Sequence, residues 1–203
     1  MRCDWRKIRE EHPGVFALIV LGKKLRTKVG LVLAIICVAD GLILWEPPFD
    51  LVRLNAWIVL GGVLILAGVG LRIAALGCLQ KKDALATAGV YSLCRHPLYL
   101  GSMAVTYGFC FLLDDWVNHV VATLYFLVFY SLTIIWEEVR LAERFGEAHR
   151  QYAQQTPLLL PLGRFRAGEF GLALAMRNGG ALLIGLTVLL LVADEGMARV
   201  MHR

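Results

Sequence analysis

Charged side chains are scarce in this sequence: they make up 18% of the residues, against 58% hydrophobic residues, and the mean hydropathy is +0.64. That scarcity excludes an ordinary soluble domain, in which about a quarter of residues are charged. The hydrophobic residues come in long runs, which is typical of membrane-spanning helices. The net charge of +5 could indicate nucleic acid, but the positive residues cluster beside the hydrophobic runs. We therefore expect no nucleic-acid partner.

Paired cysteines and metal-binding motifs are also lacking. The five cysteines are odd in number and widely spaced, and no CxxC or cysteine–histidine spacing occurs. We therefore expect reduced thiols, with neither a disulfide framework nor a metal site. The short apolar stretch Pro13–Gly22 is followed by four basic residues between positions 23 and 28, where a signal peptide would have its cleavage site. This stretch is instead predicted to be an interfacial or re-entrant helix.

The hydrophobic runs predict an all-α integral membrane protein with about five transmembrane helices. No internal repeat or low-complexity linker interrupts the chain, so residues 1–203 are treated as a single membrane domain. The predicted spans are Thr27–Trp45, Asn55–Gly77, Pro97–Leu113, Trp116–Trp136 and residues 170–195. Residues 1–26 then form a cytoplasmic or interfacial N-terminal segment. Four spans occupy residues 27–136, and residues 137–169 form a cytoplasmic segment.

Each of the first two spans has a charged residue near its end. Asp40 and Arg72 are both expected to reach the membrane interface with their polar ends. For Arg72 the alternative is that its side chain turns into a site. Four small residues of the second span share one helix face and predict close approach of another helix. They are Ala67, Gly70, Ala74 and Gly77.

Basic residues are almost absent from one side of the predicted membrane. With Arg72 assigned to the side of the N-terminus, that side holds all but three of the 21 lysines and arginines, the exceptions being Arg53, Arg199 and Arg203. Because positively charged loops stay in the cytoplasm, the N-terminus is predicted to be cytoplasmic. The protein is thus expected in the cytoplasmic (inner) membrane or in an endomembrane.

The third span is preceded by an unusually polar stretch, Gly89–Gly101. Pro97 has no backbone N–H and a fixed φ, so it suits the first turn of a helix. Arg95 and His96 then lie just outside the start of that helix, where four backbone N–H groups have no helical partner. Such a helix start favours an anionic group, a carboxylate or a phosphate.

A second polar group lies across the predicted hairpin of the third and fourth spans. The turn at residues 114–115 is so short that the two spans must be antiparallel neighbours. The pair Glu137-Glu138, at the end of the fourth span, is then level with the pair Arg95-His96. Two interpretations remain open: a charge pair that anchors the hairpin, or a polar pocket that binds a zwitterionic cofactor above a lipid-facing cleft.

Three motifs follow one another through the middle of the chain. They are Gly-Val-Tyr-x3-Arg-His-Pro-x-Tyr-x-Gly at Gly89–Gly101, Glu-Glu-x2-Leu-x3-Phe-Gly-x5-Tyr at Glu137–Tyr152, and Leu160-Pro161. Their order about one hairpin resembles the isoprenylcysteine carboxyl methyltransferases and the related bacterial phospholipid methyltransferases. The resemblance covers roughly the second span through Pro161.

This resemblance implies a methyltransferase that binds S-adenosyl-L-methionine in a cytoplasmic pocket, at the ends of the third and fourth spans. A lipophilic small molecule or lipid would reach this pocket from the bilayer. The residues implied in cofactor binding are Tyr91, Arg95, His96, Pro97, Tyr99, Leu100, Gly101, Glu137 and Glu138. Catalytic roles are implied for Glu138, Arg95 and His96. Contacts with the substrate are implied for Arg144, His149 and Tyr152.

The roles follow from the chemistry of the cofactor. Arg95 and His96 suit its carboxylate, and Glu137 or Glu138 its ammonium or ribose hydroxyls. Tyr91 and Tyr99 can pack on adenine or on the sulfonium. A general base is needed only if the acceptor arrives protonated, and Glu138 or His96 is the candidate.

The sequence departs from the family pattern where the substrate would be recognised. His149 stands where a tyrosine is usual, and no basic residue precedes Leu160-Pro161. The acceptor atom therefore stays open among O, N and S, with phospholipid N-methylation as the alternative activity. A non-catalytic scaffold and an NADPH-dependent protein similar to the sterol reductases are the alternatives of another class. The additional C-terminal span could wall the lipid access route or support a homodimer.

Overall fold

The computed structural model describes residues 11–43, 56–79, 84–113 and 116–201, and all structural statements concern these residues. The side chains of residues 34–43 and 193–201 are not described. The predicted interfacial position of Asp40 and the turn at residues 114–115 therefore lie outside the described residues. Of the five cysteines, the three with described side chains are free: Cys78, Cys94 and Cys110.

The described residues form helices joined by loops, which confirms the all-α prediction. The helices are α1 (Pro13–Ile43), α2 (Ala56–Cys78), α3 (Pro97–Leu113), α4 (Trp116–Gln155), the short α5 (Leu172–Ala175) and α6 (Ala181–Met201). Three helical stretches of this part are long and apolar enough to cross a membrane: α2, α4 and Leu172–Val192. Helix α3 is equally apolar in character but has 17 residues. The protein is thus a membrane protein, and the number of five spans stays a prediction.

Helix α1 runs without a break from Pro13 to Ile43. The prediction that Pro13–Gly22 forms a separate interfacial or re-entrant helix is therefore wrong. No proline follows Pro13 within α1, and a glycine alone lowers helix stability by only about 1 kcal/mol. The two glycines that face α4 let the helices pack closely. A Cβ atom at Gly22 would lie 2.6 Å from Cδ1 of Leu132, and one at Gly30 would lie 2.5 Å from the Tyr125 hydroxyl.

Helices α2 and α3 pack backbone to backbone through glycines. A Cβ atom at Gly61 would lie 2.7 Å from the Gly108 carbonyl oxygen, and one at Gly68 would lie 2.7 Å from that of Gly101. On both helices the two glycines are seven residues apart, so they share one helix face. Each pair leaves room for the antiparallel partner.

The prediction that the face with Ala67, Gly70, Ala74 and Gly77 meets another helix is therefore wrong. Ala67 and Gly70 are exposed, and nothing lies within 4 Å of a Cβ atom built on Gly70. Gly77 is buried, but it faces the ring of Phe170 and not a neighbouring span. The α2 sequence carries two small-residue faces, and its composition does not tell which one meets α3. Both faces carry small residues at a seven-residue spacing, so the spacing does not distinguish them either.

Helix α4 departs from regular α-geometry at two places. A π-helical turn, Phe126–Tyr130, inserts one extra residue, so Tyr125 and Tyr130 come to lie on one side of the helix although they are five residues apart. Further along, Gly146 has φ 50° and ψ −120°, which only glycine adopts readily. The helix therefore changes direction at Gly146, and its last turns fold back towards the start of α3.

After α4 the chain crosses the loop that leads into α3. We call residues 156–171 the closing segment. The N–H of Arg95 donates to the Pro157 carbonyl (2.9 Å), and the N–H of Gly89 donates to the Arg166 carbonyl (2.8 Å). Between these two bonds, the N–H of Gly163 donates to the Leu93 carbonyl (2.9 Å). These backbone hydrogen bonds fix the loop before α3 from one side.

Candidate active site

Four charged side chains and one phenol meet where α3 begins and the apolar part of α4 ends. The Arg95 guanidinium donates to Glu138 Oε2, and both side chains are 14% exposed. The His96 ring lies 2.8 Å from Glu138 Oε1 through Nε2 and 3.6 Å from Glu137 Oε2 through Nδ1. Tyr99 donates its hydroxyl proton to Glu137 Oε1 at 2.5 Å. The two motifs that the sequence placed level with each other are in direct contact.

The electrostatics of this network favour a charged histidine between two carboxylates. Burial acts to lower the pKa of His96, but the hydrogen bonds to Glu137 and Glu138 outweigh it and the pKa is raised. Burial likewise acts to raise the pKa of both glutamates, yet their hydrogen bonds to His96 hold each pKa below its ordinary value. The two glutamates are therefore anionic at neutral pH, and their carboxylates favour the protonated form of His96.

The part of α4 beyond Gly146 adds a second layer to the network. His149 is buried, and its Nε2 lies 3.6 Å from Glu138 Oε2. Burial lowers the pKa of His149 despite the neighbouring carboxylate, so the ring is mainly neutral at pH 7. The Tyr152 hydroxyl donates to the carbonyl oxygen of Tyr91 at 2.7 Å, within buried surroundings. This bond ties the folded-back end of α4 to the loop that precedes α3.

The start of α3 does not offer its backbone to an anion in the way that we predicted. The N–H groups of Arg95 and His96 donate to Pro157 and Leu158 of the closing segment. Pro97 has no N–H, and those of Tyr99 and Leu100 donate to the His96 carbonyl. Most of the backbone donors at this helix start are thus already paired within the protein.

A cavity of about 980 Å³ opens beside the network. Of the residues predicted for the site, seven line this cavity: Tyr91, Arg95, His96, Tyr99, Glu137, Arg144 and Tyr152. The other five do not: Pro97, Leu100, Gly101, Glu138 and His149. The side of α3 that carries Tyr99 faces the cavity, whereas Gly101 packs against α2, with Arg72 Cγ 2.6 Å from the position of a Cβ atom. Glu138 lies behind Arg95 and His96 and acts on them.

The cavity is also lined by residues that the sequence did not assign to the site. For Arg72 the structure favours the alternative prediction, a side chain turned into a site, because its Nη1 donates to Ser102 Oγ on α3 and the side chain lines the cavity. Arg26 of α1 and Tyr130 of α4 line the cavity as well. The guanidinium of Arg26 lies 5.2 Å from the ring centroid of Tyr99 and 5.5 Å from that of Tyr130. An arginine within an apolar span was the only available signal.

Among the described residues, no group of three or more histidines, cysteines, aspartates or glutamates is arranged to hold a metal ion. The charged cluster at α3 and α4 is thus a network of ion pairs and hydrogen bonds.

Comparison with known proteins gives a consistent picture. The phospholipid methyltransferase family matches residues 51–148. The protein-S-isoprenylcysteine O-methyltransferase of Schizosaccharomyces pombe is 34% identical over 83 residues, which are 41% of this chain and 35% of that protein. A probable protein-S-isoprenylcysteine O-methyltransferase of rice is 38% identical over 82 residues, 40% of this chain and 43% of that protein.

A third relative carries a different kind of name. The cobalt-zinc-cadmium resistance protein CzcN of Cupriavidus metallidurans is 34% identical over 90 residues, 44% of this chain and 41% of that protein. The chain thus spans less than half the length of the relatives that it matches. No solved structure matches it significantly. The comparisons confirm the resemblance carried by the motifs: residues 51–148 match the phospholipid methyltransferase family, and part of the chain is similar to isoprenylcysteine O-methyltransferases.

Proposed function

We propose that the protein is an S-adenosylmethionine-dependent methyltransferase that acts on a lipophilic substrate taken from the membrane. The observation that carries the proposal is the contact between Arg95-His96 and Glu137-Glu138 at the wall of a large cavity. A charge pair that served only to anchor the hairpin would need neither the cavity nor the exposed part of Glu137. The side chain of that glutamate is 37% exposed.

The cavity fits the cofactor in size and in chemistry. Small-molecule sites usually have volumes of roughly 300–1,000 Å³, and 980 Å³ leaves space for part of a second ligand. Arg95 lines the cavity, so its guanidinium offers a cationic group beside which a carboxylate can bind. The exposed oxygen side of Glu137 can accept from an ammonium group or from ribose hydroxyls. Tyr91 and Tyr99 offer aromatic surface for adenine or a sulfonium.

When bound, S-adenosylmethionine supplies a methyl group activated by its positive sulfur. The protein then has to align the acceptor in line with this group and to exclude water. We propose that Arg95, Tyr99 and Glu137 bind the cofactor directly. Glu138, which the sequence suggested as catalytic, we propose as a positioning residue, because it lies behind Arg95 and His96. His96 remains the candidate for moving a proton at the cavity wall, if the acceptor arrives protonated.

The membrane arrangement is part of the same proposal. The five predicted spans are proposed to cross the membrane as one domain: they lie in α1 from Thr27 onward, in α2, in α3, in α4 up to Trp136 and in the stretch Leu172–Val192. The site then lies on the cytoplasmic side, with the side that carries nearly all lysines and arginines. Gly30 of α1 and Tyr125 of α4 line the cavity and lie within predicted spans, and we propose that a lipid chain enters at their level.

Binding of S-adenosylhomocysteine to the purified full chain in detergent tests the proposal. Calorimetry should show saturable binding by the wild type and loss of about tenfold or more in affinity for Glu137→Gln, because a charge-assisted hydrogen bond is lost. The matched control is Glu147→Gln, whose carboxylate pairs with Arg150 on the exposed surface of α4. Absence of binding by the wild type, or equal affinities of the two variants, would contradict the proposal. Membranes incubated with methyl-labelled S-adenosylmethionine would then identify the acceptor in the lipid extract.

A further inference from the structure

The closing segment carries large apolar side chains that the described part of the protein leaves largely uncovered. Leu162 is 76% exposed, Phe165 is 66% exposed and Leu160 is 61% exposed. Single exposed apolar residues are ordinary on a protein surface, but a concentration of them marks a place that binds a protein or a membrane. Five large apolar residues within thirteen positions form such a concentration here: Leu158, Leu160, Leu162, Phe165 and Phe170.

The backbone of the closing segment is tied to the loop before α3, so the exposure is not that of a free tail. Besides the backbone bonds described above, the N–H of Arg166 donates to Ser92 Oγ at 2.9 Å. Ser92 Oγ donates in turn to the Gly89 carbonyl at 2.6 Å, and the Ser92 side chain is buried. The hydrogen bonds of the segment are thus made with the protein, while its apolar side chains remain exposed.

Three helix ends place the closing segment at the boundary of the membrane. The N–H of Gly171 donates to the Gly77 carbonyl, in the last turn of α2, at 3.1 Å. The carbonyls of Pro157 and Leu158 accept from the residues that precede α3. The apolar stretch Leu172–Val192 begins directly after the segment. A segment that is bonded to the ends of apolar helices lies close to the plane where the hydrocarbon core of the bilayer begins.

The composition and path of the segment favour a lipid surface over a protein partner. Arg164 and Arg166 stand among the apolar residues, and both are exposed. Arginines beside phenylalanine and leucine are typical of surfaces that lie in the membrane interface, where the apolar side chains enter the acyl boundary and the cations stay at the headgroups. Apart from one isolated bridge at Arg166, residues 156–171 form neither helix nor strand, so they offer a protein neither a helix face nor a sheet edge.

We infer that the closing segment docks into the surface of the lipid bilayer, with Leu160, Leu162 and Phe165 among the acyl chains just below the headgroups. Arg164 contacts lipid phosphate groups at the same level. The partner is the bilayer itself and not a single bound lipid. The inference does not rest on the methyltransferase proposal, because it uses only the position, the exposure and the hydrogen bonds of this segment.

Docking couples the membrane to the loop that carries the polar network. The closing segment supplies the carbonyl acceptors for the N–H groups of Arg95 and His96, and the side chains of these two residues contact Glu138. A bilayer that holds the closing segment therefore also holds the backbone from which this network is built.

Photo-crosslinking of the full chain in phosphatidylcholine nanodiscs tests the contact with lipid. The probe p-benzoyl-phenylalanine replaces Leu162 or Phe165, and mass spectrometry identifies the adduct after irradiation. Both positions should give lipid adducts with at least about half the yield of the same probe at Leu189, an exposed residue of the last predicted span. The matched control is Glu147, exposed on α4 beyond Gly146, which should give about tenfold less. Yields at 162 and 165 as low as at 147, or adducts mainly with a second copy of the chain, would overturn the inference.

Amide hydrogen exchange in the same nanodiscs tests whether docking holds the loop. The double variant Leu162→Ser/Phe165→Ser should raise the exchange rates of the Gly89, Arg95 and His96 N–H groups by about tenfold or more, because their acceptors lie on the released segment. The control Leu162→Met/Phe165→Leu keeps the apolar character and should exchange like the wild type.

The two remaining outcomes of the exchange experiment both count against docking. Unchanged exchange in the serine variant would place these side chains in water, where a serine is as well tolerated as a leucine. An equal rise in the control variant would assign the effect to local packing. Neither measurement uses S-adenosylhomocysteine, so failure of this inference and failure of the proposed function are read from separate experiments.

Discussion

Replacement of Glu138 by glutamine removes the anion on which Arg95 and His96 both depend. The carboxylate accepts from the Arg95 guanidinium and lies 2.8 Å from His96 Nε2. Glutamine has nearly the same shape, so packing is preserved and the loss is mainly electrostatic. Of the described carboxylates, Glu137 is then the one that remains near His96, with 3.6 Å between Oε2 and Nδ1.

The magnitude follows from the burial of the pair. Loss of one partner of a buried ion pair costs about 3–5 kcal/mol, and a surface pair contributes about 0–1 kcal/mol. The side chains of Arg95 and Glu138 are 14% exposed, and the glutamine amide keeps one acceptor, so we expect about 2–3 kcal/mol. For a chain of this size such a loss lowers the thermal midpoint by roughly 5–10 °C.

Thermal unfolding of the purified protein in detergent measures this difference. The control is Glu147→Gln, because Glu147 and Arg150 form a pair of the same kind with side chains 62% and 51% exposed. The control should shift the midpoint by less than about 2 °C. Equal shifts for Glu138→Gln and Glu147→Gln would refute the view that the Glu138 carboxylate organises the start of α3.

Three further predictions concern pH, helix packing and the hydrogen bond from Tyr152 to the Tyr91 carbonyl. The pKa of His96 is raised, so its protonation stabilises the fold below pH 6.5, the ordinary histidine value, and this stabilisation is lost as the pH rises through the folded pKa. The pKa of His149 is lowered, so its protonation destabilises the fold as the pH falls below 6.5. The lowered pKa values of both glutamates add a loss below their ordinary value of 4.5, so the thermal midpoint should be highest near pH 6.5, and a steady rise up to pH 9 would contradict this sign. Gly68→Val should abolish the monodisperse peak of folded protein on size-exclusion chromatography, because a Cβ atom there meets the Gly101 carbonyl oxygen. Gly70→Val has open space around it and should elute like the wild type. Similar elution of the two variants would disprove the α2–α3 packing. Tyr152→Phe leaves the buried Tyr91 carbonyl unpaired and should cost about 1–3 kcal/mol in thermal unfolding. Tyr107→Phe loses an exposed hydrogen bond to Thr123 and should cost less than about 0.5 kcal/mol. The reverse order would contradict the role of Tyr152 in holding the end of α4 against the loop before α3.

The central contact of the site could be predicted from the sequence because it depends on local rules. A proline at the start of α3 and a short turn before α4 place Arg95-His96 opposite Glu137-Glu138, whatever the details of packing. The structure has this contact. The role of the contact could not be deduced in the same way, since an ion pair and a ligand site use the same residues.

The rest of the cavity depends on choices that a single sequence does not reveal. Arg26 and Arg72 enter the site because α1 packs on α4 and α2 packs on α3 with particular faces. Those faces are set by contacts between distant residues, such as Gly68 with Gly101 and Gly30 with Tyr125. The π-helical turn at Phe126–Tyr130 also rotates the later part of α4, and no proline or glycine marks it in the sequence. The periodicity of a regular helix therefore assigns Tyr130 to the wrong side.

The closing segment has a consequence for how the protein is made. All the side chains that we assign to cofactor and substrate come before residue 153, so every one of them is synthesised before Pro157. The backbone partners of Arg95, His96 and Gly89 are synthesised only afterwards, at Pro157, Leu158 and Arg166. The nascent chain thus passes through a stage in which all its ligand-binding side chains have been synthesised but the backbone groups that hold the loop before α3 have not. Completion of the site is thus a late event of biogenesis, because a chain that ends before Pro157 has every ligand-binding side chain and none of these backbone partners.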